Sequence, residues 1–330
     1  MLVDHQSIAG SRVLVHLASG IGNIVLATPL IVALNEMGLS VDLLINADYP
    51  DTAELFRDWS VVATVHSDGA AEVLRREYRF IAPAVPPFYW RRFAATYRRD
   101  RRAVARPPDS LFYRDEQEYY LSFARRLGYP SDLRPFCTLP IAPSDSFDVT
   151  SRTMAIAPGS KTGEMALKRW PFFAELAEHF ADVVVVGTSD DLLRANGEPF
   201  EFPGHVRVLA GKLTLRGAAE VLAAAGAVVG SDTGLCHVAG AVGAPTVMIF
   251  GPTPDATLGP LPPNVIVMRA GLACEPCWFG DRFRACSKRI DCLQQVRVDD
   301  VVNTLRELMG TGPLDFRPGA GDSQIVLNQS

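Results

Sequence analysis

An α/β protein with two doubly wound halves is the fold this sequence predicts, on three observations. Short apolar runs alternate with stretches of helical spacing along most of the chain. Most of these runs are apolar on both faces, as strands of a parallel sheet with helices on either side must be. The alternation starts twice, near residue 12 and again near residue 154, with an irregular Pro-, Ser- and Asp-rich stretch (Pro130–Thr153) between. Length agrees, because 330 residues exceed one ordinary core and suit two domains.

The first half opens with a buried strand over Arg12–Ala18, broken by Ser19-Gly20-Ile21-Gly22-Asn23. Helical spacing follows over Ile24–Met37, and Gly38 suits its stop. Val41–Ile45, Val61–Val65 and Phe80–Val85 read as further strands. Residues 86–110 carry seven arginines (Arg91, Arg92, Arg98, Arg99, Arg101, Arg102, Arg106) interleaved with Phe88, Tyr89, Trp90, Phe93 and Tyr97. An amphipathic helix over Asp115–Gly128 follows, with acids in its first turn. The domain boundary is expected near 142–152, giving domains 1–148 and 149–330. In the second half, strands are expected at Met154–Ala157, Val183–Gly187, Ala227–Ser231 and Thr246–Phe250. Helices are expected at Pro171–Phe180, Leu213–Ala225 and Asp299–Met309, and the polar tail carries little structural signal.

Composition bounds the function. Hydrophobic content of 48% and charged content of 21% fit a soluble globular protein, and a formal charge of −5 argues against a nucleic-acid partner. No apolar run approaches the ~18 residues of a membrane span. The opening MLVDHQSIAG has an early acid and no basic n-region, so a cytoplasmic protein is expected and its six cysteines are not first a disulfide framework.

Two loops carry chemistry. Gly20-Ile21-Gly22-Asn23-Ile24-Val25 is not a dinucleotide fingerprint, because Val25 stands where the third glycine belongs and Asn46 where a ribose-binding acid would be. It is either a tight turn or a place where open N–H groups meet an anion or a close-approaching substrate. The second loop, GSDTGLCHVAGAVGAPTVMIFGPT (230–253), packs Asp232, Thr233, Gly234 and His237 at the start of a helix. A phosphate or diphosphate is its natural guest, against the alternative of a plain helix cap with a packing histidine. Lys168 and Arg169 precede a helix start, where cations are unfavourable unless an anion lies near or solvent screens them.

GIGNIVLATPLIVAL, PGSKTGEMALKRWPFFAELAEHF and SDTGLCHVAGAVGAPTVMIFGPT together resemble glycosyltransferase family 9, the family of the ADP-heptose:lipopolysaccharide heptosyltransferases. The resemblance implies a GT-B fold, two Rossmann-like domains facing a central cleft. It implies inverting transfer of a heptose or related sugar from a nucleotide-diphosphate donor, an ADP-sugar by preference, to a hydroxyl of an anionic glycan or glycolipid in cell-surface polysaccharide or lipopolysaccharide biosynthesis. No metal takes part in that chemistry. By position, Lys168 would neutralise the leaving diphosphate, Asp232 would anchor the donor, Thr233 and Gly234 would contact its phosphates with His237 close by, and Ser160 and Lys161 would lie on the first donor-domain loop. The acceptor side would fall to the first domain, with Gly22, Asn23, Arg98, Arg99 and Arg101. One departure stands out: Asn23 occupies the position of the family's aspartate base, and an amide does not take up a proton at useful pH. His16 is a candidate replacement. A sugar-nucleotide epimerase of GT-B architecture and a catalytically inactive nucleotide-sugar-binding protein are the alternatives.

Cys274, Cys277, Cys286 and Cys292 fall within nineteen residues. A C-x2-C knuckle with two more thiols suits a structural zinc or iron, with disulfides or free thiols as rivals. Some relatives in the family carry a similar cluster. Cys137 and Cys236 read as small core residues. The arginine-rich stretch, with its aromatics, suits an anionic acceptor or a peripheral contact with membrane at the inner face, against the alternative of a solvated loop.

Overall fold

The computed structural model describes residues 8–46, 48–67, 70–278, 286, 290–310 and 324–326. They divide into two compact units. The first comprises the described residues of Met1–Pro140 together with Ala256–Leu261, and the second those of Ile141–Asp255 and Pro262–Ser330.

Unit 1 is built on β1 (Arg12–Leu17), β2 (Ser40–Ile45), β3 (Thr64–His66) and β4 (Phe80–Ala84), all parallel in the order β3-β2-β1-β4. Its helices are α1 (Ile21–Leu26), α2 (Thr28–Glu36), α3 (Ala70–Val73), α4 (Pro87–Tyr97), α5 (Asp109–Phe112) and α6 (Glu116–Arg126). β1 is central and buried from Val13 onward, so the loop that follows it starts from a rigid strand end. The expected single helix over 24–37 is two helices. Pro29 has no N–H to donate to the Val25 carbonyl, and the Thr28 hydroxyl takes that carbonyl instead at 2.8 Å. The expected strand at 61–65 pairs only from Thr64, because Val62 is still in a turn closed onto the Trp59 carbonyl. Within the arginine-rich stretch, residues 87–97 form a helix, with proline in its first turn. Asp115 caps α6, accepting from the Glu118 N–H at 2.9 Å.

Unit 2 carries β5 (Met154–Ala157), α7 (Phe173–Ala177), β6 (Val183–Val185), β7 (Arg207–Val208), α8 (Leu215–Ala224), β8 (Ala227–Ser231), α9 (Gly234–Ala241), β9 (Thr246–Ile249) and β10 (Val265–Arg269). Short helices at Asp291–Gln294 and Val298–Leu308 follow, then β11 (Gln324–Val326). The strands form one parallel sheet in the order β11-β10-β9-β8-β5-β6-β7. β5 and β8 are buried along their whole length, which explains their unbroken apolar sequences. The helix expected over 171–180 is shorter, because after Ala177 the chain tightens into three-residue bonds from Glu178 to Glu175 and from His179 to Leu176. Asp190 and Asp191 sit in a 3-10 turn, Ser189–Leu192, closed by a capping box with Thr188. The tail, read as unstructured, contributes β11, which pairs Gln324–Val326 with Val267–Arg269 and satisfies an edge that β10 would otherwise leave open.

Candidate functional site

In unit 2, β8 delivers the chain to Ser231 and Asp232, and α9 begins at Gly234. Gly230 is required there: a Cβ would lie 2.4 Å from both the Ala157 carbonyl oxygen and Cys236 Sγ. Ser231 Oγ accepts from the Trp170 N–H at 2.9 Å, tying the KRWP segment to the strand end. That brings Lys168, 64 residues away in sequence, onto Asp232: Lys168 Nζ donates to Asp232 Oδ2 at 2.8 Å. His237 Nε2 lies 3.5 Å from Asp232 Oδ1. Burial alone would raise the Asp232 carboxyl. The Lys168 ammonium and the His237 ring outweigh it and hold the group well below the usual carboxylate range. Thr233 caps α9 without a side-chain bond, so its hydroxyl leaves the first-turn N–H groups of the helix to another acceptor.

The Lys168-Arg169 doublet splits in two. The structure supplies the anion for Lys168 from within the chain, as Asp232. Arg169 is buried and held by the carbonyls of Ser160, Asp190 and Leu193 at 2.6–2.8 Å, with Asp191 3.6 Å away. Arg169 is a clamp and not a solvated surface charge. Ser160 serves the same clamp: its hydroxyl donates to the Met165 carbonyl at 2.8 Å and accepts from Arg169 Nε at 3.2 Å. Lys161 is exposed on that loop. One neighbour escaped the sequence reading. The Trp278 ring centroid lies 5.6 Å from Lys168 Nζ, and the N–H groups of Cys277 and Trp278 both donate to the Pro252 carbonyl at 2.9 Å. Its sequence signal is the tryptophan that follows Cys277 directly. In the same turn, the buried Thr253 hydroxyl has no partner among the described residues.

No disulfide joins any of the cysteines among the described residues. Cys137 and Cys236 are buried, and burial pushes both thiols up to about 12. Cys274, Cys277, Cys286 and Cys292 line one cavity of about 20 Å³, shared with Glu275 and Asp291. Yet among the described residues no three His, Cys, Asp or Glu side chains are grouped as a metal ion would hold them, and Cys286 is exposed. Among the described residues the four thiols share a cavity without forming a ligand cage.

In unit 1, the loop after β1 starts at Ser19, held at a φ of +114° that side chains with a Cβ rarely adopt. Gly20 caps α1, which contains Gly22 and Asn23. Ser19 Oγ donates to Asn23 Oδ1 at 2.8 Å, and Asn23 Nδ2 donates to Glu116 Oε1 at 2.6 Å. The Tyr120 hydroxyl donates to the same Glu116 oxygen at 3.0 Å. His16, the suggested replacement base, is buried against Tyr97 with its Nδ1 2.5 Å from the Tyr97 hydroxyl, and burial lowers its pKa to about 4. That environment keeps it neutral and a poor base. Arg98, Arg99 and Arg101 are exposed beyond the end of α4, whereas Arg102 is fixed by Asp100 and by the Leu74 and Arg76 carbonyls.

Residues 138–283 match the profile of glycosyltransferase family 9 (heptosyltransferase). This stretch of the chain is similar to glycosyltransferase family 9. The chain is 36% identical over 115 residues to lipopolysaccharide heptosyltransferase 2 of Escherichia coli K12, covering 32% of each chain. It is 35% identical over 120 residues to lipopolysaccharide heptosyltransferase 1 of Pseudomonas aeruginosa, covering 33% of this chain and 32% of that one. The chain thus spans about a third of the length of these curated relatives. Among solved structures, the family 9 glycosyltransferase of Veillonella parvula matches with a TM-score of 0.68 at 16% identity, over 92% of this chain and 98% of that one. E. coli heptosyltransferase WaaC with ADP matches at 0.63 and 20% identity, over 90% and 99%. The iron-containing dodecameric glycosyltransferase TibC of enterotoxigenic E. coli matches at 0.63 and 14% identity, over 93% and 78%. Identities this low speak for the fold alone, which is that of the GT-B glycosyltransferases.

Proposed function

We propose that this chain is an inverting glycosyltransferase that moves a heptose or related sugar from a nucleotide-diphosphate donor, an ADP-sugar, to a hydroxyl of an anionic glycan or glycolipid in lipopolysaccharide or other cell-surface polysaccharide synthesis. The carrying observation is the Lys168–Asp232–His237 constellation at the start of α9. The segment holding it matches the family, and a solved structure of similar fold is WaaC with ADP.

In this reading unit 2 binds the donor. Lys168 faces the diphosphate as its bond to the sugar breaks, and Asp232 holds the ammonium in place and anchors the donor. Thr233, Gly234 and the N-terminal N–H groups of α9 meet the phosphates, with His237 beside them and Ser160 and Lys161 on the neighbouring loop. Unit 1 takes the acceptor at Gly22 and Asn23 in the first turn of α1, and the exposed Arg98, Arg99 and Arg101 attract its phosphates. The chemistry needs no metal. No helix among the described residues is long and apolar enough to cross a membrane, and we place the enzyme at the inner face of the cytoplasmic membrane as a peripheral protein.

Calorimetry with ADP, followed by turnover of ADP-heptose, tests this reading. It expects saturable ADP binding and release of ADP from the sugar nucleotide. Conversion of the sugar to its epimer without an acceptor, with or without ADP release, would favour the epimerase alternative, and ADP binding without any turnover the inactive one. The four-cysteine segment is proposed to close around one structural zinc or iron. Elemental analysis of protein purified without chelator should then give close to one metal per chain, and metal-free protein with four titratable thiols would overturn it.

A further inference from the structure

Glycosyl transfer to a hydroxyl leaves a proton to be placed. A lone pair of the acceptor oxygen forms the bond to the anomeric carbon. The bond from that carbon to the diphosphate breaks, and its electron pair leaves with the phosphate oxygen. The hydroxyl proton must go to a base. Asn23 has no basic atom to offer, and His16 is buried and committed to Tyr97. The carboxylate at the loop is Glu116, brought there from 93 residues away.

The hydrogen bonds at this loop run one way. An ionised carboxylate only accepts, so the Asn23 amide turns Nδ2 toward Glu116 and leaves Oδ1 to accept from Ser19. Tyr120 donates to the same carboxylate oxygen. Asn23 and Tyr120 both donate to Glu116 Oε1, and Ser19 donates to Asn23, so the chain of bonds from Ser19 ends at the Glu116 carboxylate. Its backbone is fixed on both sides. Arg134 grips the preceding residue, Asp115, with two bonds at 2.6 and 2.8 Å, and Gln117 Nε2 donates to the Pro260 carbonyl at 2.8 Å. The strained backbone at Ser19 is held by the same network, as strain at working sites commonly is.

We propose that Glu116 is the catalytic base: the acceptor hydroxyl binds as a further donor to this carboxylate beside Asn23 Nδ2, and its proton passes to Glu116 as the glycosidic bond forms. This rests on the glycosyl-transfer reading above. The loop therefore keeps the amide and the carboxylate as a pair, with the acid on α6 instead of on the loop.

Glu116→Gln keeps the shape of the side chain and an oxygen for Asn23 and Tyr120. We expect it to bind ADP within twofold of wild type by calorimetry. We expect release of ADP from ADP-heptose, with water as the accepting hydroxyl, to fall by at least about a hundredfold. The double variant Asn23→Asp/Glu116→Gln exchanges the two partners and returns one carboxylate to the pair, and it should recover at least about tenfold of that loss. Wild-type turnover in Glu116→Gln would overturn the proposal. So would a loss that the exchanged pair fails to recover while ADP binding stays intact, because the glutamate would then only hold the loop. Wild-type protein that binds ADP and releases none from ADP-heptose would sink the transfer reading first, and this proposal with it.

Discussion

The loops at 19–23 and 231–237 are built alike and charged differently. Each leaves the end of a buried parallel strand, and each opens a helix whose cap residue makes no side-chain bond. In unit 2 the carboxylate sits on the loop itself, as Asp232, and is held charged by Lys168 and His237. In unit 1 the loop carries an amide, the carboxylate arrives from α6, and the nearby histidine is kept neutral. The same strand–loop–helix geometry therefore holds an ion pair in one unit and an amide–carboxylate pair in the other. What differs is which distant element the loop borrows its charge from.

The largest effect expected from breaking this contrast is on Asp232. Asp232→Asn leaves Lys168 part-buried without its anion and should cost about 3–5 kcal/mol in chemical denaturation of the protein. Adding Lys168→Met should return part of that loss, because the stranded charge is gone. The Asp232 carboxyl is lowered in the fold, so its contribution is full above the ordinary carboxylate range and is lost as pH falls through and below about 4. The gap between wild type and Asp232→Asn should close in that window. A gap that persists unchanged at low pH would mean that the ion pair is not its source.

His16 should lose its contribution earlier. Its pKa falls from 6.5 to about 4 on folding, so between those values the unfolded chain binds a proton that the folded chain refuses. Stability is full above pH 6.5 and declines as pH falls toward 4, by about 3 kcal/mol in all. His16→Asn should flatten the stability curve across that window. An unchanged slope would show that the ring is not buried neutral.

The difference between the loops also explains what the sequence made legible. Asp232, Thr233, Gly234 and His237 are contiguous enough to be read as one motif, Lys168 stands out as a cation before a helix start, and only the resemblance to family 9 joins the two. The parallel α/β alternation was legible because strands buried on both faces are written in uninterrupted apolar residues, as at Ala227–Val229. Glu116 was not legible as a site residue. It looked like one of several acids in the first turn of an amphipathic helix, and only the fold shows that it faces Asn23. β11 was missed because three residues in a polar tail have no periodicity to read, and their strand exists only because β10 offers an edge. The break at Ala27 was readable from Pro29, but the apolar spacing on either side masked it.

The two residues that meet at Lys168 sharpen the unit 2 side of the comparison. Lys168→Ala should weaken ADP binding by roughly 1.5–3 kcal/mol, the range of a charge-assisted contact, measured by calorimetry. Trp278→Ala should weaken it by about 0.5–1 kcal/mol, because the ring is half-buried and steers the ammonium without carrying charge. Trp278→Phe should retain most of the affinity. Equal losses in the Ala and Phe variants would point to the pairing of Cys277 and Trp278 with Pro252 instead of the ring face.

The smallest expected effect on the fold lies in the arginines, and it separates acceptor recognition from stability. Arg98, Arg99 and Arg101 are exposed and make no side-chain bonds among the described residues, whereas Arg102 closes a turn through Asp100 and two carbonyls. Replacing the first three by Gln should leave the melting temperature and the ADP affinity unchanged, since surface positions away from packing contribute little. Replacing Arg102 alone should lower the melting temperature. If the patch attracts a phosphorylated glycan or glycolipid, the triple variant should bind vesicles of anionic lipid more weakly than wild type at low salt. The two should converge near physiological ionic strength, where exposed charges are screened within ~8 Å. Identical vesicle binding at low salt would make these arginines plain surface, and the proposed acceptor site would then rest on Asn23 and Glu116 without them.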